Sequence, residues 1–376
     1  LIDPDLIRIP DSDYASQIGH SDYWLAAAVR GQGCLRNLEE FVMKIIDSHF
    51  HWWPRSVFEE LCKREGYPRA EKNNKGGYKY MRAAGGHPEG GQGRFNLGTD
   101  WFELDEQLAH MDTTGHEIAV VCSIGPFSLH FSDLPVEEGR AAAMLWNEEM
   151  AEAQRRYPGR VWATAAVPLR DTQVAIEVLN HAIGTLGLIG ANLPSTVGSF
   201  GNIDDPRLEP FYDRVEELDI PLYIHPTDST FPEVMDGYNG ALYLSLGRVV
   251  DVSVTACRLV LSGIMERHPA LKIVMSHTGG ALPYQAGRMD KNANAARLPK
   301  PPSTYIKRMF TDTVSPHEMG IRFAVEFYGV DHVMYGSDYP CWDPATALQL
   351  FDEVGLSKED QQKILNDNAR RILGLK

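Results

Sequence analysis

Met43–Pro54 reads MKIIDSHFHWWP. Met43, Ile45 and Ile46 form a short apolar run rich in β-branched residues, the pattern of a buried strand. The run ends in His49-Phe50-His51. On a strand, residues i and i+2 point to the same side, so both imidazoles can face one metal ion. Two surface or capping histidines give the same pattern. Its meaning therefore depends on what later strands bring to the same place.

Seven further apolar runs alternate with helical patterns. Ile118–Ile124, Val161–Val167, Leu188–Leu193, Ile220–Ile224, Leu271–Met275, Met309–Thr313 and Val333–Gly336 read as strands. Leu104–Asp112, Glu137–Arg156, a segment capped by Asp171, Pro206–Leu218, a stretch near Gly240–Arg267 and Glu318–Tyr328 read as helices. Two more, near Pro344–Glu353 and Lys358–Leu373, close the chain. Strand–helix alternation implies a parallel sheet, and eight repeats predict an α/β fold, a closed (β/α)8 TIM barrel. No Gly-x-Gly-x-x-Gly or P-loop pattern follows a strand, which argues against a nucleotide fold.

The barrel is expected over 43–376. A long loop insertion follows strand 1, within the region 52–103. Trp52–Thr99 is polar and glycine-rich, and loops of that length are usually functional or disordered. Trp52 and Trp53 at its start offer flat faces for a planar substrate. Arg94-Phe95 near its end is placed to return to a pocket. Residues 1–42 form an N-terminal extension of no assigned role, without a basic segment followed by an apolar one.

A chain of 376 residues with 43% hydrophobic and 23% charged residues can bury a large core. Its net charge of −15 argues against nucleic acid or an anionic membrane as partner. No apolar run is long enough to span a bilayer. Five scattered cysteines without a Cys-x-x-Cys read as reduced thiols, which places the protein in the cytoplasm.

Active sites of such barrels sit on the rim at the C-terminal ends of the strands. His49 and His51 after strand 1, His225 after strand 5, His277 after strand 6 and Asp338 after strand 8 all fall there. Any one of them alone reads as a satisfied polar residue at a strand end. Together, imidazoles and a carboxylate suit one divalent ion, zinc first and manganese second. His110, His116, His181, His268 and His332 fall on helices, turns or strand starts, and His87, His130 and His317 in loops. Of these only His87 is placed to reach the mouth.

His49-Phe50-His51, Ile224-His225-Pro226, Ser276-His277-Thr278-Gly279-Gly280 and Gly336-Ser337-Asp338-Tyr339-Pro340 resemble the signature of the amidohydrolase superfamily. The branch they resemble most is that of aminocarboxymuconate semialdehyde decarboxylase and its aromatic-acid relatives. The resemblance implies one metal held by His49, His51, His225 and Asp338, with His277 as acid/base. Binuclear relatives carry a bridging lysine at the end of strand 4, where this chain reads Gly190-Ala191-Asn192-Leu193-Pro194. The resemblance also gives Arg288, eleven residues beyond His277, the role of a carboxylate-binding residue acting across a homodimer. Arg94 takes the place of a second substrate arginine, with an imperfect local match.

Decarboxylation of an aromatic or muconate-type carboxylic acid is the first expectation. In it His277, alone or through metal-bound water, protonates the substrate carbon, and Asp338, the other catalytic candidate, holds the metal and accepts a hydrogen bond from that water. Hydrolysis of a lactone or amide and hydration of an unsaturated dicarboxylate use the same parts.

Overall fold

The first apolar run becomes β1 (Ile45–Phe50), buried at all six positions. In the computed structural model the described residues are 44–82, 94–122, 131–195, 201–227, 231–293 and 298–375. The N-terminal extension, His87 and His130 lie outside them. The remaining strands are β2 (Arg69–Lys72), β3 (Tyr78–Met81), β4 (Arg94–Leu97), β5 (Ile118–Cys122), β6 (Val161–Ala163) and β7 (Ala165–Ala166). They continue with β8 (Ala191–Pro194), β9 (Pro221–His225), β10 (Lys272–Met275), β11 (Phe310–Asp312) and β12 (Val333–Met334).

One parallel sheet runs β1-β5-β6 and a second runs β12-β11-β10-β9-β8-β7. Every strand expected from the apolar runs is present. Val161–Val167 is one run in sequence but two strands in space. Its first half pairs with β5 and its second with β8, and Thr164 turns between them to donate to Cys122 O. On the other side, Ser48 N–H bonds Tyr335 O at 2.8 Å and Asp338 N–H bonds His49 O at 2.8 Å.

Two apolar layers explain why these runs are strands buried on both faces. The larger layer joins Ile45, Phe50, Val120, Ile224 and Ile273 to residues of the helices. The smaller one takes Ile46, Val121, Tyr223, Val274, Phe310 and Met334 from six different strands. Ala369, Ile372 and Leu373 near the C-terminus pack onto it. Ile45 and Phe50 share the larger layer although they are five positions apart, an odd offset. The cause is a bulge between Asp47 and Phe50, where three steps of β1 match two of β5. An extra residue reverses which face the following side chains occupy.

The main helices are α1 (Arg55–Cys62), α2 (Leu104–Asp112), α3 (Val136–Arg156), α4 (Thr172–Gly184), α5 (Glu209–Glu217), α6 (Arg248–Leu261), α7 (Leu282–Asn292), α8 (Glu318–Tyr328) and α9 (Pro344–Glu353). Asp171 caps α4 by accepting from Val174 N–H, as its sequence position implies. The stretch expected as one helix over Gly240–Arg267 is broken. A π-helical turn, Tyr243–Gly247, precedes α6, and a separate turn, Ile264–Arg267, follows Gly263 at φ 81°.

The insertion after β1 is the main departure from expectation. Among its described residues it contains α1 and an antiparallel sheet, β2-β3-β4, where a loop is expected. Its polar composition hides the period of two that buries Tyr78 and Tyr80. Those two rings, with Phe58 and Phe102, form an aromatic packing unit at centroid separations of 5.0–6.2 Å. These four aromatic residues join the described part of the insertion to the larger apolar layer.

Candidate metal centre

Beyond its bulge, β1 carries His49 and His51 to the strand end, both at most 3% exposed. His225 is the last residue of β9, and His277 and Asp338 follow β10 and β12. His49, His225, His277 and Asp338 each offer a donor atom within 4.8 Å of the others. His51 Nε2 lies 3.2 Å from His49 Nε2 and 3.0 Å from Asp338 Oδ1. All five residues singled out on the rim therefore converge. Their convergence needs unusual backbone: His277, Thr278 and Asp338 have φ of 56°, 54° and 60°. Left-handed conformations at non-glycine residues cost about 1–3 kcal/mol each and collect at functional sites.

The donors fit a metal by their hydrogen bonds. His49 Nδ1 lies 2.6 Å from Asp312 Oδ2, which leaves Nε2 to face Asp338 and His51. His225 Nδ1 donates to Pro226 O at 2.8 Å, so its Nε2 carries the lone pair. That Nε2 is buried without a hydrogen-bond partner among the described residues. A ligating imidazole characteristically gives its second nitrogen to a carboxylate or backbone carbonyl in this way. His277 differs. Its Nε2 stands 3.5 Å from Asp338 Oδ2 and its Nδ1 is buried without a partner. The cluster is a site for a divalent metal ion.

Charge in the site is divided accordingly. Burial opposes the charged form of His49, but the Asp338 and Asp312 carboxylates outweigh it and hold its pKa up at about 10 in the metal-free protein. Burial, with the charges of His51, His49 and His277, pushes His225 well below the usual histidine range, so it stays neutral. Burial would raise Asp338, yet the charge of His49 and hydrogen bonds from three histidines hold it well below the usual carboxylate range.

Three carboxylates organise this centre: Asp338, Asp312 and Asp47. Asp312 Oδ1 accepts Thr278 N–H and Val314 N–H, both at 3.1 Å, which aims Oδ2 at His49. Asp47 accepts His49 N–H at 3.1 Å, Ser337 N–H at 3.0 Å and Ser337 Oγ–H at 2.5 Å. It thereby clamps β1 to the segment that carries Asp338. Asp312 gave the same signal as Asp338, a carboxylate at a strand end, whereas Asp47 reads as part of the strand.

The expected substrate residues fare differently. Trp52 donates its indole N–H to Phe102 O at 3.0 Å and packs against the outer core. Trp53 and Trp101 stand by His51 instead, stacked on each other at 4.2 Å, with Trp101 nearly parallel to the imidazole at 6.0 Å. Arg288 is exposed on α7 and has no hydrogen-bond or ion-pair partner among the described residues. Arg94 opens β4, paired with Met81. Its neighbour Phe95 lies against the Arg248 guanidinium.

A family model described as Amidohydrolase matches residues 46–375. The chain belongs to the amidohydrolase family. This amidohydrolase is similar to a gamma-resorcylate decarboxylase of Rhizobium sp. (strain MTP-10005). The two are 29% identical over 312 residues, 75% of this chain and 92% of the relative. It is also 29% identical to a 2-amino-3-carboxymuconate-6-semialdehyde decarboxylase of Dictyostelium discoideum, over 62% of this chain and 66% of that one. Several of the curated relatives are gamma-resorcylate decarboxylases, so the aminocarboxymuconate branch is one likeness beside another. A solved structure of dihydroxybenzoic acid decarboxylase from Polaromonas sp. JS666, with bound manganese and 2-nitroresorcinol, shares the fold. Its TM-score is 0.70 at 21% identity, covering 88% of this chain and 97% of that one. The metal site and these relatives support a metal-dependent decarboxylase in general terms.

Proposed function

We propose that this amidohydrolase removes CO2, without oxidation, from an aromatic carboxylic acid bearing ring hydroxyl groups. The observation that carries the reading is the division within the donor set. His49 gives its Nδ1 to Asp312 and His225 its Nδ1 to Pro226 O, which turns both Nε2 atoms to the centre. His51 Nε2 meets His49 Nε2 at 3.2 Å and Asp338 Oδ1 at 3.0 Å, while His277 approaches Asp338 at 3.5 Å and has a buried Nδ1 without a partner among the described residues. The first four are the ligands and His277 is the acid/base. A muconate-type acid is the second reading, supported by the Dictyostelium relative. The stacked Trp53–Trp101 pair beside His51 favours the flat ring.

A divalent ion held there would supply positive charge toward the oxygen substituents of the acid. Manganese stands beside zinc as the candidate, supported by the manganese of the Polaromonas relative and a donor set that suits both. His277 Nε2, facing Asp338 Oδ2, carries the proton to the ring carbon that bears the carboxylate. The bond from that carbon to the carboxylate then breaks, CO2 leaves, and the bonding pair restores the ring. Asp338, held as a carboxylate, keeps the His277 proton in place before transfer.

The strand ends support closure of the two sheets into one (β/α)8 ring, through the Ser48–Tyr335 and His49–Asp338 backbone bonds and the six-strand inner cluster. A homodimer in which Arg288 reaches the other copy's site is supported by exposed apolar residues on its own helix, α7, and on α6, whose Val254 and Leu261 line one groove with Gln285 and Met289 of α7. Tyr284 is 79% exposed, Leu261 48% and Val254 36%. Among the described residues, no helix is long and apolar enough to cross a membrane.

The test is CO2 release from a panel of hydroxybenzoic and muconate-type acids, with and without chelator. Release that is lost with the metal and restored by manganese or zinc is the expected result. Consumption of lactones or amides with no CO2 from any acid would overturn the proposal.

A further inference from the structure

Arg248 is a half-buried arginine at the start of α6, directly after the π-helical turn Tyr243–Gly247. Single π-turns within helices are common at functional sites. Its Nη1 donates to Pro226 O at 2.8 Å. The same carbonyl accepts His225 Nδ1–H. One carbonyl therefore ties the guanidinium to a histidine of the metal centre. The planar group lies 5.2 Å from the Tyr243 ring centroid and 5.9 Å from that of Phe95, on the inserted sheet. Pro226 directly follows His225, the last residue of β9. The guanidinium thus stands on the side of the fold where the strand ends gather.

No carboxylate answers this charge: among the described residues Arg248 has no ion-pair partner. Arg55 and Arg82, also half-buried, pair with Glu103 and Asp133, and Arg308, which has no ion pair among the described residues, bonds two backbone carbonyls, Met265 O and Pro269 O, where Arg248 has one. Partly desolvating a guanidinium without a counter-charge is unfavourable, and its remaining N–H groups form a fork that matches a carboxylate. The rings of Tyr243 and Phe95, both within 6 Å, attract the cation without supplying a counter-charge.

We propose that Arg248 binds the carboxylate of the acid substrate from within the same chain that supplies the metal ligands. The proposal rests on the aromatic-acid reading of the site and adds to it a binding residue unrelated to Arg288. Phe95, whose ring lies 5.9 Å from the guanidinium, gives the inserted sheet a part in the same subsite.

The test measures ligand binding to the metal-loaded protein by calorimetry. The acids are 2-hydroxybenzoate, 2,6-dihydroxybenzoate and benzene-1,3-dicarboxylate; the carboxylate-free controls are phenol and 1,3-dihydroxybenzene. In Arg248→Met the acids should bind about 10- to 100-fold more weakly, the range for losing a charged hydrogen-bond pair, while the controls bind as before. Arg248→Lys should recover part of the loss, because charge survives and the fork does not. Metal content by elemental analysis should be unchanged in both. Acids that bind Arg248→Met as tightly as they bind the wild type would overturn the assignment of Arg248 and leave the decarboxylase reading standing. Equal loss for acids and controls, or loss of metal, would make Arg248 a brace for Pro226 and overturn it likewise. If none of the acids binds the wild type, the aromatic-acid reading falls and the role of Arg248 falls with it.

Discussion

Replacing Asp312 by Asn keeps the size of the side chain and removes its charge. In the folded chain its Oδ2 lies 2.6 Å from His49 Nδ1, with the two side chains 3% and 4% exposed. Losing a carboxylate behind a ligating histidine costs about 10- to 100-fold in metal affinity, or about 1.4–2.7 kcal/mol. The proton balance gives a second signature. In the metal-free protein His49 is held at about 10, against the effect of burial, by Asp338 and Asp312. At pH 7 it carries a proton that an entering metal must expel, so apparent affinity should rise with pH, by up to about tenfold per unit below that value. Asp312→Asn lowers the His49 pKa, and fewer protons should leave on binding. Titration of manganese or zinc into metal-free protein, in two buffers of different ionisation enthalpy, reads affinity and proton release together. Circular dichroism checks the fold. A folded variant with unchanged affinity and unchanged proton release would refute the role given to Asp312.

His277→Asn should keep its metal, since His277 is not one of the proposed ligands, and lose about 100- to 10,000-fold in CO2 release. Elemental analysis beside a turnover assay checks both, and undiminished turnover would remove His277 from the chemistry. Gly336→Ala would place a methyl 2.8 Å from His49 Cβ and 3.2 Å from Asp312 Cβ. Overpacking of this kind costs about 1–3 kcal/mol, so the variant should melt earlier and bind metal more weakly. A melting point and metal affinity equal to wild type would mean that the rim yields without cost.

Local pattern made much of this protein legible. Each apolar run of the two sheets is a strand, and each polar residue chosen at a run's end lies on one rim. That much is local: burial on both faces demands consecutive apolar residues, and the polar residue marks where the chain leaves the core. His49, His51, His225, His277 and Asp338 were within reach of such reasoning, because position along a strand decides which end of the sheet a residue occupies.

Tertiary structure decided which groups meet. Asp312 lies 263 residues from His49 and is an ordinary strand-end carboxylate until the sheets bring the two within 2.6 Å. The bulge in β1 depends on pairing with β5, so no period within β1 itself announces it. Trp101 replaces Trp52 beside His51 because the insertion folds around Phe58, Tyr78, Tyr80 and Phe102 rather than trailing as a loop. Arg248 reads as a helix-surface charge until Pro226 O and the ring of Phe95 are seen against it. The sequence by itself determined that the apolar runs of the two parallel sheets are strands and which polar residues stand at their ends, since each depends on neighbours a few residues away. Charge pairing, tautomer and stacking partner depend on contacts made across the whole chain, and only the folded structure could decide them.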